Sequence, residues 1–146
     1  MSYYKLAYSL VFSLFALTVS AQDDILMNLD NDGATFNQCS GTFFDSGGAG
    51  GDYSSGENFT LTICPDMPDM RVVLEFIAFE VADDGNDFIT IYDSDTVDPN
   101  EILGTFNGNL ADHPELNLIT ASDLNLSGCL TIEFTSDPTF FERAGW

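Results

Sequence analysis

The chain has 146 residues, of which 24 are Asp or Glu and only 3 are Lys or Arg, so its formal net charge at pH 7 is −21. Nucleic acid is excluded as a natural partner, because phosphate backbones are bound by clustered Lys or Arg side chains. Beyond the first segment only Arg71 and Arg143 are basic. Cations and basic protein surfaces are the natural counterparts of such a chain, although the acidity would equally serve to keep an exported protein soluble.

The first 21 residues have the pattern of a secretory signal peptide. Lys5 gives a positive start, residues 6–19 form an apolar run, and Val19-Ser20-Ala21 is a small-residue cleavage site before Gln22. The run of about 14 residues is shorter than the ~20 that cross a bilayer. We therefore expect a secreted or cell-surface protein with no transmembrane segment in the mature chain. Its environment would permit disulfides.

Residues 22–38 are rich in Asp and Asn and show little periodicity, which predicts a polar leader ahead of the folded domain. Within it, Asp30-Asn31-Asp32-Gly33 is similar to the start of an EF-hand loop. The twelfth position of such a loop needs a bidentate Glu but holds Gly41, and no flanking helices are evident. We expect a turn there instead.

The chain has three cysteines, Cys39, Cys64 and Cys129, so at least one has no partner within this sequence. A reactive thiol, an intermolecular bridge or a partner beyond the given residues would each account for the odd one. The only histidine, His113, lies in an acidic stretch, which argues against a catalytic cysteine.

From Cys39 onward, short apolar segments are separated by Gly, Asn, Asp and Pro, and no helical period lasts more than a couple of turns. This pattern predicts an all-β fold, one packed β-sandwich in a single domain. In the last strand, Leu130, Ile132 and Phe134 are expected to face the core, while Thr131, Glu133 and Thr135 face water. The clearest predicted strands are 59–63, 72–79, 88–92, 102–106, 116–120 and 130–135.

Six blocks of sequence, in order, resemble the CUB domain, which occurs in secreted modular proteins, often bacterial ones. The resemblance covers residues 39–146 and implies a jelly-roll-like antiparallel β-sandwich used outside the cell to recognise a protein or a carbohydrate. The blocks are Phe43-Phe44-Asp45-Ser46-Gly47-Gly48, Tyr53-Ser54, Thr60-Leu61-Thr62-Ile63-Cys64-Pro65, Asp87-Phe88-Ile89-Thr90-Ile91-Tyr92-Asp93, Ser127-Gly128-Cys129-Leu130-Thr131-Ile132-Glu133-Phe134-Thr135-Ser136-Asp137 and Gly145-Trp146.

The resemblance also implies a disulfide pattern. It pairs Cys39 with Cys64. CUB domains typically continue past the Gly-Trp pair into a final strand, often with another cysteine, so we expect a domain truncated at its C-terminus and a partner for Cys129 beyond Trp146. Many CUB domains carry a cysteine just before the Tyr-Asp pair, where this chain has Asp84-Gly85-Asn86-Asp87.

Calcium-binding CUB domains hold their ion with a Glu at the end of one strand, an Asp that opens the next and an Asp after the late Ser-Asp segment. The matching residues are Glu80, Asp87 and Asp137. Carboxylates suit Ca²⁺, which takes about six to eight oxygen ligands, and three converging carboxylates without a cation would repel one another. Asp83 and Asp84 are substitute ligands. The alternative is that all are solvated loop acids.

The function implied is recognition of an extracellular partner through this calcium-organised surface. The expected contact residues are Glu80, Asp87 and Asp93, with Asp95 extending the rim and Tyr53 hydrogen-bonded to Glu80. They would receive Lys or Arg side chains of a protein, or a glycan. Two alternatives stay open, a calcium-independent structural or adhesive module and a non-catalytic accessory domain of a larger secreted hydrolase.

An enzyme is not predicted, and no catalytic residue is assigned. Nucleophile-elbow, HExxH and Walker motifs are absent from the sequence. The glycine-rich stretch 44–53 lacks the Lys and the following helix of a phosphate-binding loop, so we expect a tight turn between edge strands.

Overall fold

The computed structural model describes residues 24–139 and 143–146. The predicted signal peptide lies outside these residues. The described part of the chain is built of short strands and three 3₁₀ turns, with no helix long and apolar enough to cross a membrane. The strands are β1 (Ile25–Leu26), β2 (Ala34–Asn37), β3 (Phe43–Phe44), β4 (Asn58–Cys64), β5 (Val73–Leu74), β6 (Glu80–Val81), β7 (Phe88–Tyr92), β8 (Ile102–Phe106), β9 (Gly108–Asn109), β10 (Ile119–Thr120) and β11 (Leu130–Thr135).

One layer is a five-stranded sheet in the order β2-β4-β11-β7-β8, antiparallel except for the parallel pair β2 and β4. Its central strand β11 alternates as predicted, with Leu130, Ile132 and Phe134 fully buried. The prediction that Thr131 faces water is wrong. Its hydroxyl lies 2.9 Å from that of Thr62 and donates to the carbonyl of Ser94, so a loop covers it on the outer face.

The second layer consists of three two-stranded ladders, β1-β3, β5-β10 and β6-β9, extended by an antiparallel bridge between Glu80 and Gly145. A single apolar cluster joins this layer to the five-stranded sheet. The chain is therefore an all-β sandwich of the jelly-roll type, as predicted. Residues that fill its centre are Ile25, Leu61, Phe76, Phe79, Ile89, Ile91, Leu116, Ile132, Phe134 and Trp146.

Two predicted strands differ from those observed. The segment 72–79 was expected to be continuous, but only Val73–Leu74 pairs with β10, and a bend at Ile77 leaves that side chain 85% exposed. The segment 116–120 begins in the 3₁₀ turn Pro114–Asn117 and is a strand only at Ile119–Thr120. Pro114 favours this turn because its fixed φ suits the first helical position.

The predicted polar leader is, from residue 24 onward, part of the sandwich. Ile25 and Met27 are each only 1% exposed, and β2 runs parallel to β4 at the edge of the five-stranded sheet. The Asp and Asn residues that gave the segment its polar character form the turn between β1 and β2, where Gly33 has φ +74°. The turn itself was predicted correctly; the apolar residues before it were too few to reveal a strand.

The disulfide joins Cys64 to Cys129, so the predicted Cys39–Cys64 bridge is wrong. Ile63 of β4 lies opposite Leu130 of β11, and this register brings Cys64 and Cys129 to a Cα separation of 4.2 Å. Cys39 is exposed and free, because β2 ends at Asn37 opposite Cys64 and the chain then leaves the sheet. The expectation that Cys129 needs a partner beyond Trp146 is wrong for the same reason. A further strand after Trp146 stays a prediction.

Candidate functional site

The site is centred on Asp87, which directly precedes β7 and is 4% exposed. Its Oδ2 accepts a 2.6 Å hydrogen bond from the hydroxyl of Tyr53, and its Oδ1 accepts one of 2.8 Å from the backbone N–H of Asp137. The antiparallel register of β7 and β11, with Phe88 opposite Thr135, brings these two acidic residues to the same end of the sheet. Two of the three predicted calcium ligands are therefore neighbours.

Tyr53 ties Asp87 to the second layer of the sandwich. The phenol ring is fully buried and packs edge-on against Phe134, with ring centroids 5.0 Å apart. Its oxygen accepts a 3.0 Å hydrogen bond from the backbone N–H of Ala82. Burial, followed by the bond to Asp87, raises the pKa of Tyr53 well above its usual range, so the hydroxyl remains a neutral donor. The predicted bond from Tyr53 to Glu80 is replaced by this bond to Asp87.

Asp137 follows β11 and is held mainly through its backbone. Its carbonyl accepts a 2.7 Å hydrogen bond from Gly56, while its N–H is the donor to Asp87. Its half-buried carboxylate accepts from the backbone N–H of Thr139 at 2.8 Å and from the hydroxyl of that residue. The side chain thus caps the turn that follows the strand.

Glu80, the third predicted ligand, lies in β6 with its side chain 48% exposed. Its backbone N–H and C=O pair with those of Gly145, and its Oε1 lies 3.7 Å from Nε of Arg143. Oxygen ligands of this kind match the chemistry of Ca²⁺. In the described part of the chain, however, no three Asp, Glu, His or Cys side chains are grouped so that they could hold a metal ion.

The substitute ligands lie in the loop between β6 and β7. Asp83 and Asp84 are both exposed, and Oδ1 of Asp84 accepts a 3.1 Å hydrogen bond from the backbone N–H of Asn86. Gly85 has φ +87°, which allows the tight reversal of this loop. These carboxylates are solvated, whereas the carboxylate of Asp87 is fixed.

Two further acids at this end of the sandwich are buried and were not predicted as site residues. Asp45 is fully buried; its Oδ1 accepts from the N–H of Gly47 at 2.7 Å and its Oδ2 from that of Trp146 at 3.0 Å. Burial raises its pKa, and these backbone bonds offset part of the effect. The pattern Asp45-Ser46-Gly47 is typical of a side chain that bonds the backbone two residues on, and was the available signal.

Glu57 is the second of these acids. Its Oε1 accepts a 3.3 Å hydrogen bond from the N–H of Ser54, while its Oε2 is buried without a hydrogen-bond partner among the described residues. Burial raises the pKa of Glu57, and the negative charge of Asp45 raises it further. Its own N–H donates to the hydroxyl of Ser136, next to Asp137. No sequence pattern distinguished Glu57 from the surface acids.

Asp93 does not lie beside Asp87. The two residues flank the five-residue strand β7, and at a rise of roughly 3.3 Å per residue they are separated by about 20 Å. The buried Oδ1 of Asp93 accepts hydrogen bonds of 2.9 Å from the N–H of Ser122 and from Nδ2 of Asn125. Burial would raise the pKa of Asp93, but these bonds and the charge of Arg71 outweigh it and lower the pKa. Asp93 thus anchors a loop at the other end of the sandwich.

No protein-family model and no curated protein sequence matches the chain significantly. Solved structures do match it. The MASP-1 CUB2 domain bound to Ca²⁺ superposes with a TM-score of 0.58 at 22% identity, over 79% of this chain and 94% of that one. The CUB1-EGF-CUB2 domains of rat MASP-1 give 0.57 at 22% identity over 75% of this chain, and those of human MASP-1/3 give 0.58 at 22% over 82%.

The chain therefore has the CUB fold, that of a protein-interaction module. It spans only 38% and 44% of the rat and human three-domain structures, so it corresponds to one of their domains. CUB domains are generally non-catalytic and typically extracellular, and the Cys64–Cys129 disulfide fits that setting.

Proposed function

We propose that this chain is a secreted recognition module that binds a protein, or a glycan, through an acidic surface organised by Ca²⁺. The observation that carries the proposal is the placement of Asp87. Its carboxylate is buried and held by Tyr53 and the backbone of Asp137, at the end of the sandwich where Glu80 begins its strand.

The oxygens of this end suit a hard cation. A carboxylate offers about four lone-pair positions, and the bonds from Tyr53 and Asp137 occupy one on each oxygen of Asp87. The remaining positions, with the carboxylates of Asp137 and Glu80, would supply oxygens to Ca²⁺. Bound calcium would supply fixed positive charge that orders the acidic loops. That a domain of the same fold is bound to Ca²⁺ supports the proposal without extending to this chain's ligands.

Glu80 is the ligand that has to move. It is half-exposed and interacts with Arg143 at 3.7 Å, a distance longer than that of a strong hydrogen bond. Ca²⁺ and Arg143 would compete for the same carboxylate. The stability of the complex would therefore depend on Glu80 more than on the fold, which makes this residue the best one to vary.

The partner is proposed to carry Lys or Arg. With a formal charge of −21, the chain attracts basic surfaces at long range and repels acidic ones. Charge pairs at the rim of an interface mainly raise the association rate, and salt screens them over about 10 Å at 0.1 M ionic strength. Binding should therefore weaken with salt and require calcium, whereas binding to a neutral glycan would be insensitive to salt.

The calcium claim is tested by thermal unfolding in calcium and in chelator. A ligand at a hundredfold excess over its Kd stabilises the native state by about 2.7 kcal/mol. We expect a rise in Tm for the wild-type protein that is lost in Glu80→Gln and kept in Glu101→Gln, an exposed acid outside the site. Magnesium at the same concentration controls for general charge screening. No rise in the wild-type protein would overturn the calcium claim.

The partner claim is tested separately with a short lysine-rich peptide as the probe. We expect binding in calcium that is lost in chelator and weakened by added salt. Glu80→Gln should bind the peptide less well than Glu101→Gln does. Equal binding by both variants would show a response to net charge alone and would contradict a specific surface.

A calcium-independent adhesive module is the second candidate function. It is favoured by a specific observation, that each oxygen of Asp87 already has a hydrogen-bond donor and that Arg143 lies beside Glu80. These contacts stabilise the acidic end without a cation. Unchanged Tm in calcium, together with peptide binding in chelator, would support this second function.

A further inference from the structure

A groove of about 720 Å³ separates two ladders of the second layer. One wall is formed by β3 with the glycine-rich loop that follows it, and the other by β5 with the segment that continues to Ala78. Ala144 and Trp146 also line it. The groove is distinct from the carboxylate of Asp87, and nothing argued so far explains it.

The wall formed by β3 presents unpaired backbone groups. The neighbouring strand β1 is bonded to the carbonyls of Thr42 and Phe44, through the N–H groups of Ile25 and Met27 at 2.8 and 2.9 Å. Successive residues of a strand direct their N–H and C=O to opposite edges. Those of Phe43 therefore face away from β1, and no described residue forms a hydrogen bond with them.

The opposite wall has the same property. The carbonyl of Val72 accepts from Ala121 and the N–H of Phe76 donates to Leu116, each at 3.0 Å, so these groups face β10 and the turn before it. By the same alternation, the backbone groups of Val73 and Glu75 face away from β10. Both walls are thus open strand edges, of the kind that pairs with an added strand.

The base of the groove is apolar and its margin is acidic. Phe43, Phe76 and Trp146 belong to the core cluster or pack against it, and the rings of Phe43 and Trp146 are 5.4 Å apart. The carboxylates of Asp52 and Glu75 lie among the lining residues and are exposed. A strand lying here would bury alternate apolar side chains against the rings and direct the others towards solvent and these acids.

We propose that the groove binds an extended β-strand of a partner protein, apolar at alternate positions and carrying Lys or Arg beside Asp52 and Glu75. The strand completes the second layer by β-strand addition, with backbone hydrogen bonds to Phe43 on one wall and to Val73 and Glu75 on the other. The bridge between Glu80 and Gly145 shows that the segment after β5 accepts an antiparallel neighbour at this end of the groove.

Charge selects the source of the strand. The chain has only three basic residues and a formal charge of −21, so a second copy offers few cations and is repelled at long range. The described segments of the chain itself already lie elsewhere in the fold. A basic partner strand satisfies the open edges, the aromatic base and the acidic margin together.

The test uses a defined peptide of ten residues with valine at alternate positions, threonine between them and lysine at both ends. Binding to the whole chain is measured by fluorescence polarisation in chelator, so that failure here is independent of the calcium proposal. A matched peptide is N-methylated at the amides along one edge. Since it loses several backbone hydrogen bonds, we expect its Kd to be at least about tenfold higher. Equal Kd values would overturn strand addition.

Two variants locate the binding. Glu75→Lys should weaken binding of the lysine peptide, whereas Glu101→Lys, which makes the same charge change at an exposed position outside the groove, should not do so specifically. Ala78→Trp should fill the groove, with Ala111→Trp as its exposed control. Binding that is unaffected by Glu75→Lys and Ala78→Trp would place the peptide elsewhere and overturn the proposal.

Other occupants would be detected in the same experiment. A dimer in sedimentation that the peptide dissociates would show that a second copy fills the groove. Binding that appears only after residues 1–23 are removed would show that they fill it. Exclusion of the peptide in a longer form of the protein would show that residues following Trp146 fill it. Each of these results would overturn the claim for a partner strand.

Discussion

The hydroxyl of Tyr53 lies 2.6 Å from Oδ2 of Asp87 and also accepts the N–H of Ala82 at 3.0 Å. One buried oxygen therefore connects the start of β7 to the segment after β6, which contains Glu80. The orientation of the Asp87 carboxylate depends on this contact, and so does the geometry of any cation site formed there.

Replacing Tyr53 by Phe should destabilise the fold by about 1–3 kcal/mol, because the N–H of Ala82 and one oxygen of Asp87 lose their buried partner. The measurement is urea unfolding, analysed as the free energy of unfolding in water.

Tyr92→Phe is the matched control. The hydroxyl of Tyr92 donates to Glu133 at 2.7 Å in a part-buried contact on the outer face of the sheet. Burial and this carboxylate raise the pKa of Tyr92 to about 12. Solvent can replace that partner, so the loss should be about 1 kcal/mol or less. Equal losses in the two variants would contradict a special role for Tyr53.

Removal of the Cys64–Cys129 disulfide should cost about 2–4 kcal/mol, because the bridge closes a long loop between β4 and β11. The variant Cys64→Ala with Cys129→Ala is compared with the wild type by thermal unfolding. Cys39→Ser should change stability by less than about 0.5 kcal/mol, since Cys39 is exposed and unpaired. Alkylation of Cys64 or Cys129 in the native, non-reduced protein would contradict the assigned pairing.

The buried acids predict a pH dependence of stability. The pKa of Glu57 is raised in the folded state, so between its ordinary value and the raised value the folded chain binds more protons than the unfolded chain. The contribution of Glu57 is therefore fully present below the ordinary pKa and is lost as the pH rises through the raised one. Glu57→Gln removes this loss, because an amide does not ionise.

The measurement is the difference in unfolding free energy between the wild type and Glu57→Gln at about pH 4 and about pH 7. The wild type should lose stability relative to the variant as the pH rises. Asp93 acts in the opposite direction, because its lowered pKa gives stability that is lost as the pH falls. Comparing two proteins that both contain Asp93 removes its effect. A difference that does not change with pH would contradict a raised pKa for Glu57.

The strands of the main sheet were predictable because their own residues specify them. β7, β8 and β11 have the bounds that alternation and turn residues indicated, and β4 extends one residue further at each end. The second layer was less predictable, since strands of two residues such as β5 carry too few alternations to define a period. In β1, Ile25 is buried by its place in the tertiary structure, in a segment whose composition is polar.

The site was predictable in part for a similar reason. Asp87 and Asp137 stand next to strands whose pairing brings them together, so their proximity follows from the sheet. The pairing of Cys64 with Cys129 depends on the register of β4 and β11, which the sequence pattern did not define. The burial of Asp45 depends on a long-range contact with Trp146, 101 residues away, and no local pattern encodes such a contact.

Gly145 provides the last prediction. It has φ +70°, and a Cβ atom there would overlap Oδ2 of Asp45, the oxygen that accepts the N–H of Trp146. Gly33 has a similar φ of +74° but open space around it. Gly33→Ala should therefore show only the cost of a left-handed conformation, about 1–2 kcal/mol. Gly145→Ala should add about 1–3 kcal/mol, since a buried acceptor is displaced from its donors. Urea unfolding of both variants gives the comparison, and equal costs would show that Asp45 is not packed against Gly145.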